Sequence, residues 1–432
     1  MLRDTFCSSP WFHVRLTYNG DFQECRWFKD QTTEPVNIRT TSVMEFYNSN
    51  RMRDLRTQFL QGQRPAGCSN CYYQDQFGKL SGRSRQLLKS GITNQFELQA
   101  RSSPHFEHFK YSENNNGLAD LYPVDLQIDL GNVCNSACIM CNPVASSRLE
   151  QDYIKLHKID PVTFSNPTRY RSWTQDAIDR FVSELTTIPV RYIHFLGGET
   201  LYDSSFYAIC QGLVDAGLSK NIIVGTTTNG TIYDDRVEHL IRQFKEFHLG
   251  ISIESVAELN NYVRYPSEID LVLENIDSFL KLRECSNVHV SLRITPNIFT
   301  AYELDQLFEY MIEHNVIAES CDILSDPACL RIELMPNDIR QEIITKIGAV
   351  IDRHGLVKTG QMNIRNTTVV NDVIADTIID YYNFMKSYTV PDDADLHRSQ
   401  LVKFLKGFET LRKNTIIDYA PRYKDFLRSY GY

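Results

Sequence analysis

Residues 124–141 read VDLQIDLGNVCNSACIMC, and their reading decides the fold. Apolar and polar residues alternate from Val124 to Leu130, and the pattern breaks at Gly131-Asn132. Such a stretch is a strand whose carboxyl end delivers Cys134 into a loop. The loop carries Cys134, Cys138 and Cys141 at C-x3-C-x2-C spacing, which argues for metal binding over three buried thiols. Asn142 and Pro143 follow and add no fourth thiolate. Structural zinc sites close four ligands around the ion, whereas a three-thiolate set left open suits an iron–sulfur cluster with one iron free for another ligand.

Downstream, helix and strand patterns alternate. Helix Ala145–His157, an irregular stretch to Trp173 and helix Gln175–Thr186 lead to strand Arg191–Leu196, helix Ser204–Ala216 and strand Asn221–Thr227. Helix Asp234–Phe244, strand Phe247–Ile253, helix Glu268–Arg283, strand Val288–Ile294, helix Ala301–His314 and strand Ser320–Leu324 complete the series. Six strands alternating with helices predict right-handed βαβ units and a parallel sheet that curls toward a barrel, with its chemistry at the carboxyl ends of the strands. Polar clusters fall at those ends: the cysteine triplet, Gly197-Gly198-Glu199-Thr200, Thr228-Asn229-Gly230, Ser252 with Glu254, and Arg293 with Thr295. A lone Gly-Gly-Glu is most often a turn, but five polar clusters on one rim are not independent turns.

Over Asp125 to Asp326 the chain resembles the radical S-adenosylmethionine (SAM) superfamily, through the triplet after the first strand, GGET after the second and the six-unit partial barrel. Met140 stands where that family often has an aromatic residue. The resemblance implies that Cys134, Cys138 and Cys141 hold a [4Fe–4S] cluster whose open iron chelates SAM. It also implies that Gly197, Gly198 and Glu199, with Thr200 and Asn229 beside them, contact the cofactor. Ser252 and Glu254 then stand near the adenosine ribose and Arg293 near the methionine carboxylate, the other reading of all three being ordinary solvated rim residues. Tight Gly-Gly backbone permits close approach, and a carboxylate accepts from an ammonium.

A second group, Cys7, Cys25, Cys68 and Cys71, supplies four thiolates by itself. Its pattern, C-x12-G-x4-C and then C-x2-C, is similar to the twitch or SPASM auxiliary-cluster module, which usually follows the barrel and here precedes it. Zinc is the other reading of this closed set. Tyr18-Asn19-Gly20-Asp21 reads as a hairpin turn between strands Trp11–Thr17 and Phe22–Trp27.

The expected architecture is α/β: a small amino-terminal α+β module over 1–95, a connection over 96–123 that includes Ser112–Gly117 (SENNNG), a partial (β/α)6 barrel over 124–326 and a helical region over 327–432. Long helices are predicted there over Asn337–His354, Thr368–Met385 and Asp395–Lys413, ahead of the Tyr- and Arg-rich stretch Tyr419–Tyr432. They would either cap the barrel mouth or form a packed terminal subdomain.

Forty-five Lys and Arg against 54 Asp and Glu give a net charge of −9, a poor basis for binding nucleic acid. The first 20 residues carry Arg3, Asp4, His13 and Arg15 and lack a signal peptide's apolar run, and no stretch suits a membrane span. A cytoplasmic protein is therefore expected, whose 11 cysteines are not mainly disulfides. The resemblance implies two [4Fe–4S] clusters, SAM and an electron donor such as flavodoxin or ferredoxin. It further implies hydrogen abstraction by a 5′-deoxyadenosyl radical, with the auxiliary cluster taking an electron from the oxidised substrate. Oxidation or cross-linking of a peptide or protein is the first expectation and modification of a sugar or nucleotide the alternative. A non-catalytic iron–sulfur or zinc protein is the rival class.

Overall fold

The computed structural model describes residues 5–29, 34–76, 81–90, 105–157, 173–321, 323–359 and 370–432. The irregular stretch expected before Trp173 and the first part of the expected connection lie outside them.

The strands are β1 (His13–Leu16), β2 (Phe22–Gln23), β3 (Asp125–Asp129), β4 (Tyr192–Leu196), β5 (Ile223–Thr228), β6 (Glu246–Ser252), β7 (Val288–Ile294) and β8 (Ala318–Cys321). They make one sheet in the order β2-β1-β3-β4-β5-β6-β7-β8, parallel at every pairing except the β1–β2 hairpin. Alternation along the strands explains the layering. Leu126, Ile128, Ile193, Phe195, Phe247, Leu249 and Ile251 are buried in the apolar core. The other face carries His13, Arg15, Asp125, Gln127, His194, His248 and Arg293. One cavity of about 250 Å³ is lined by side chains from β1, β3, β4, β7 and β8. Strands from opposite ends of the sheet meet there, so the sheet is rolled into a partial barrel with a polar interior.

All six strands of the expected barrel are present, with ends shifted by a few residues. The last runs Ala318–Cys321 and not Ser320–Leu324, next to a register shift at Leu292/Arg293 that advances its pairing. The expected hairpin is shorter than read: Ser9–Phe12 is a helical turn, and only His13–Leu16 and Phe22–Gln23 pair. Gly20 makes the turn at φ +78°, a conformation that suits glycine.

The amino-terminal segment is not a body apart from the barrel. β1 joins β3 in parallel, with His13 opposite Asp125 and Leu16 opposite Ile128. Charge matching favours this register: His13 Nδ1 lies 3.3 Å from Asp125, and Arg15 pairs with Asp129. Nor is SENNNG a free connection. Its first residues end helix Phe106–Asn114, where Ser112 accepts from Trp11 Nε1 at 2.9 Å. Buried Arg56 donates to the Gly117 carbonyl at 3.1 Å.

The carboxyl-terminal helices are Asn337–His354, Val370–Ser387 and Ala394–Arg412. The first two pack on each other, and the third packs against helix Ser147–His157, which follows the cysteine loop. Among the described residues no helix is long and apolar enough to cross a membrane.

Candidate functional site

The triplet loop is held by its apolar residues and its backbone. Ala137 and Ile139 are buried, and their amides donate to the carbonyls of Tyr265 at 2.6 Å and Val263 at 2.9 Å. Ser146 Oγ donates to the Ser136 carbonyl at 2.6 Å. Cys134, Cys138 and Cys141 remain half-buried between these anchors. Burial, followed by the charge of Cys138, pushes the Cys141 thiol up to about 12. Burial and the same neighbour push Cys134 up as well.

Arg412, at the end of the last long helix, reaches into this loop. Its Nη2 donates to the Ala137 carbonyl at 2.6 Å and to Asp152 at 3.1 Å, and the guanidinium lies 4.3 Å from the Phe408 ring centroid. The last long helix thus braces the cysteine loop, a role that the periodicity of Asp395–Lys413 did not reveal. Arg412→Met strands a buried carbonyl and Asp152, a loss of about 3 kcal/mol. Iron should then pass to a chelator several-fold faster than from the wild-type holoprotein; an unchanged transfer rate would remove the bracing role.

The Gly197-Gly198-Glu199 turn lies against the strand end that leads into the triplet. Gly198 N donates to Gly131 O at 2.9 Å and Glu199 N to Val133 O at 2.8 Å. Glycine is required there: a Cβ on residue 198 would sit 2.2 Å from the Val133 carbonyl oxygen. Glu199 is buried, and its carboxylate accepts from Thr228 Oγ1 at 2.6 Å, Asn229 N at 2.6 Å and Leu201 N at 3.0 Å. Asn229 Nδ2 in turn donates to Asn135 Oδ1 at 2.7 Å and Ser136 Oγ at 2.9 Å. Thr200 is buried in the turn Thr200–Tyr202.

Both carboxylate oxygens of Glu199 already accept from protein donors, which favours a brace for the ligand loop over direct contact with a ligand ammonium. Glu199→Gln replaces one accepting oxygen by an NH2, set against either the Asn229 amide or the Leu201 amide and Thr228 hydroxyl, and should lose about 2 kcal/mol, or roughly 2 °C in melting temperature for a chain of this length. Weaker SAM binding would follow from loop displacement. An unchanged melting curve with tenfold weaker SAM binding would restore direct contact.

Glu254 is fully buried and accepts from Arg264 Nη2 at 2.5 Å and Thr295 N at 2.6 Å. Burial opposes the charge of Arg264, yet Glu254 and then Cys138 hold it above its usual range. Arg264 therefore places positive charge beside the triplet. Sequence reading missed it, because a lone Arg in a turn after helix Leu259–Val263 carries no spacing signal. Ser252 and Arg293 are opposite each other in register. Arg293 Nη2 donates to Glu319 at 2.9 Å, and the pair lines the interior cavity.

That cavity is also lined by Cys7, Cys25, Cys68 and Cys71. Cys68 ends a helical turn and Cys71 lies in the first turn of helix Ser69–Gln76, so the C-x2-C spacing puts both at one helix start. Burial pushes Cys7 up to about 12 and Cys25 up to about 11, with the charges of the other thiols adding to both. Four thiols assembled at such electrostatic expense have the donor chemistry of a bound metal group. In a tetrahedral zinc site, Zn–S bonds of about 2.3 Å place sulfurs about 3.8 Å apart. Among the described residues, no three cysteines have sulfurs all within 4.8 Å of one another. The all-thiolate donor chemistry of both cysteine sets fits an iron–sulfur cluster.

Residues 128–297 match the model of the radical SAM superfamily, and residues 7–72 match that of an iron–sulfur cluster-binding domain. The chain carries a radical SAM domain with an iron–sulfur cluster-binding domain ahead of it, and the two domains imply [4Fe–4S] clusters and SAM as cofactors. Among solved structures it is similar to native anSMEcpe with bound AdoMet, at 16% identity and a TM-score of 0.38, over 54% of this chain and 62% of that one. It is also similar to Streptococcus suis SuiB bound to S-adenosylmethionine, at 12% identity and a TM-score of 0.35, over 82% of this chain and 70% of that one. The chain thus spans about three fifths of the length of anSMEcpe. No curated protein matches it.

Proposed function

We propose that this chain is a radical SAM enzyme that oxidises or cross-links a side chain of a peptide or protein. Cys134, Cys138 and Cys141 would hold the SAM-binding cluster, and Cys7, Cys25, Cys68 and Cys71 the auxiliary one. When bound, these groups supply a 5′-deoxyadenosyl radical that removes a substrate hydrogen atom and an acceptor for the electron the substrate then releases. The observation that carries the reading is the single cavity shared by the amino-terminal cysteines and the barrel interior, which brings the electron acceptor to the substrate space.

The chain's own groups divide the remaining tasks. Arg264 and Arg412 offset negative charge at the triplet loop, and Glu199 with Asn229 fixes the rim. His13, backed by Asp125, and His194 line the cavity as acceptors for the proton released by oxidation.

Reduced holoenzyme supplied with SAM and a deuterated peptide pool of mixed sequence should give 5′-deoxyadenosine carrying deuterium, while deuterated sugars and nucleotides give none. Deuterium taken only from sugars or nucleotides would overturn the peptide reading, and absence of SAM cleavage would overturn the enzyme.

A further inference from the structure

The barrel has a second ligand set, at the end opposite the triplet. Glu246 is the first residue of β6, His248 lies two residues on along the same face, and His289 is opposite His248 in register on β7. The parallel strands place these residues at their amino ends, whereas the cysteine loop leaves the carboxyl end of β3. Both imidazoles direct Nε2 at the same carboxylate oxygen: His248 Nε2 lies 2.9 Å and His289 Nε2 3.7 Å from Glu246 Oε2. Among the described residues, this is the one set of three or more Cys, His, Asp and Glu with all ligand atoms within 4.8 Å of one another.

A hydrogen-bonded His-Glu-His row accounts for the first distance but not the second, since 3.7 Å is too long for a hydrogen bond. Ligands about 2.0–2.1 Å from a tetrahedral ion are about 3.3 Å apart, which lies between the two observed values. The three side chains are 22%, 14% and 43% exposed, so an ion can reach them from solvent.

We infer that Glu246, His248 and His289 bind one divalent ion of borderline softness, of which zinc is the type. Two neutral imidazoles and one carboxylate suit that class and leave at least one coordination position open. The ion ties β6 to β7 at the barrel floor and differs from both cysteine sets in ligand type.

The test uses cluster-loaded protein dialysed against micromolar zinc, with zinc, iron and sulfide measured per chain and zinc K-edge absorption read for ligand type. The wild type should keep one zinc with a nitrogen and oxygen shell. His248→Ala and His289→Ala should each weaken zinc binding by roughly 100-fold or more while iron and sulfide stay unchanged. Glu246→Gln, which preserves shape and hydrogen bonding, guards against misfolding as the cause and should weaken zinc binding too. No retained zinc in the wild type, a sulfur shell, or undiminished zinc in the variants would overturn the site; none of these results bears on SAM cleavage.

Discussion

Replacing Cys134, Cys138 and Cys141 together with alanine should abolish 5′-deoxyadenosine formation by the reduced protein. The effect is the largest expected because no other group in the chain duplicates the ligand set. The loop itself should survive, since its fold rests on buried Ala137 and Ile139, on the Ser146–Ser136 bond and on Arg412. The thiols contribute ligation and little packing there. Iron content should fall by about half, the other half staying with Cys7, Cys25, Cys68 and Cys71. Product chromatography and iron assay on the same anaerobic sample check both statements. Undiminished SAM cleavage in the triple variant would refute the assignment.

The second large effect is expected from Cys68→Ala with Cys71→Ala. Both residues sit at one helix start, so their loss removes half of the amino-terminal ligand set while the β1–β3 pairing is untouched. Such a variant should lose about half its iron and still cleave SAM, but it should no longer complete substrate oxidation. The dissociation of the two readouts carries the prediction. Full iron content would mean that the amino-terminal cysteines do not hold a cluster, and simultaneous loss of SAM cleavage would mean that they serve the barrel site directly.

The barrel was legible because its signals are local. Strand alternation in VDLQIDL, short Gly and Asn turns, and cysteines seven residues apart at most are all read within one window. The merger of the amino-terminal segment with the barrel was not legible, since β1 is four residues long and its parallel partner lies more than 100 positions away. Loop braces were hidden for a related reason. Glu199 was identified as a rim carboxylate, but its partners Thr228 and Asn229 come from the next strand end. Arg412 reaches the triplet loop from the last long helix, and Arg264 sets its charge beside Cys138 from an isolated turn. Glu246, His248 and His289 read as ordinary strand residues until the register of β6 and β7 brings them together.

The most direct measurement of the central claim is electron paramagnetic resonance of the reduced wild-type protein, recorded anaerobically with and without SAM. Two cluster signals are predicted, of which SAM changes one and leaves the other as it was. A spectrum wholly indifferent to SAM would contradict the account.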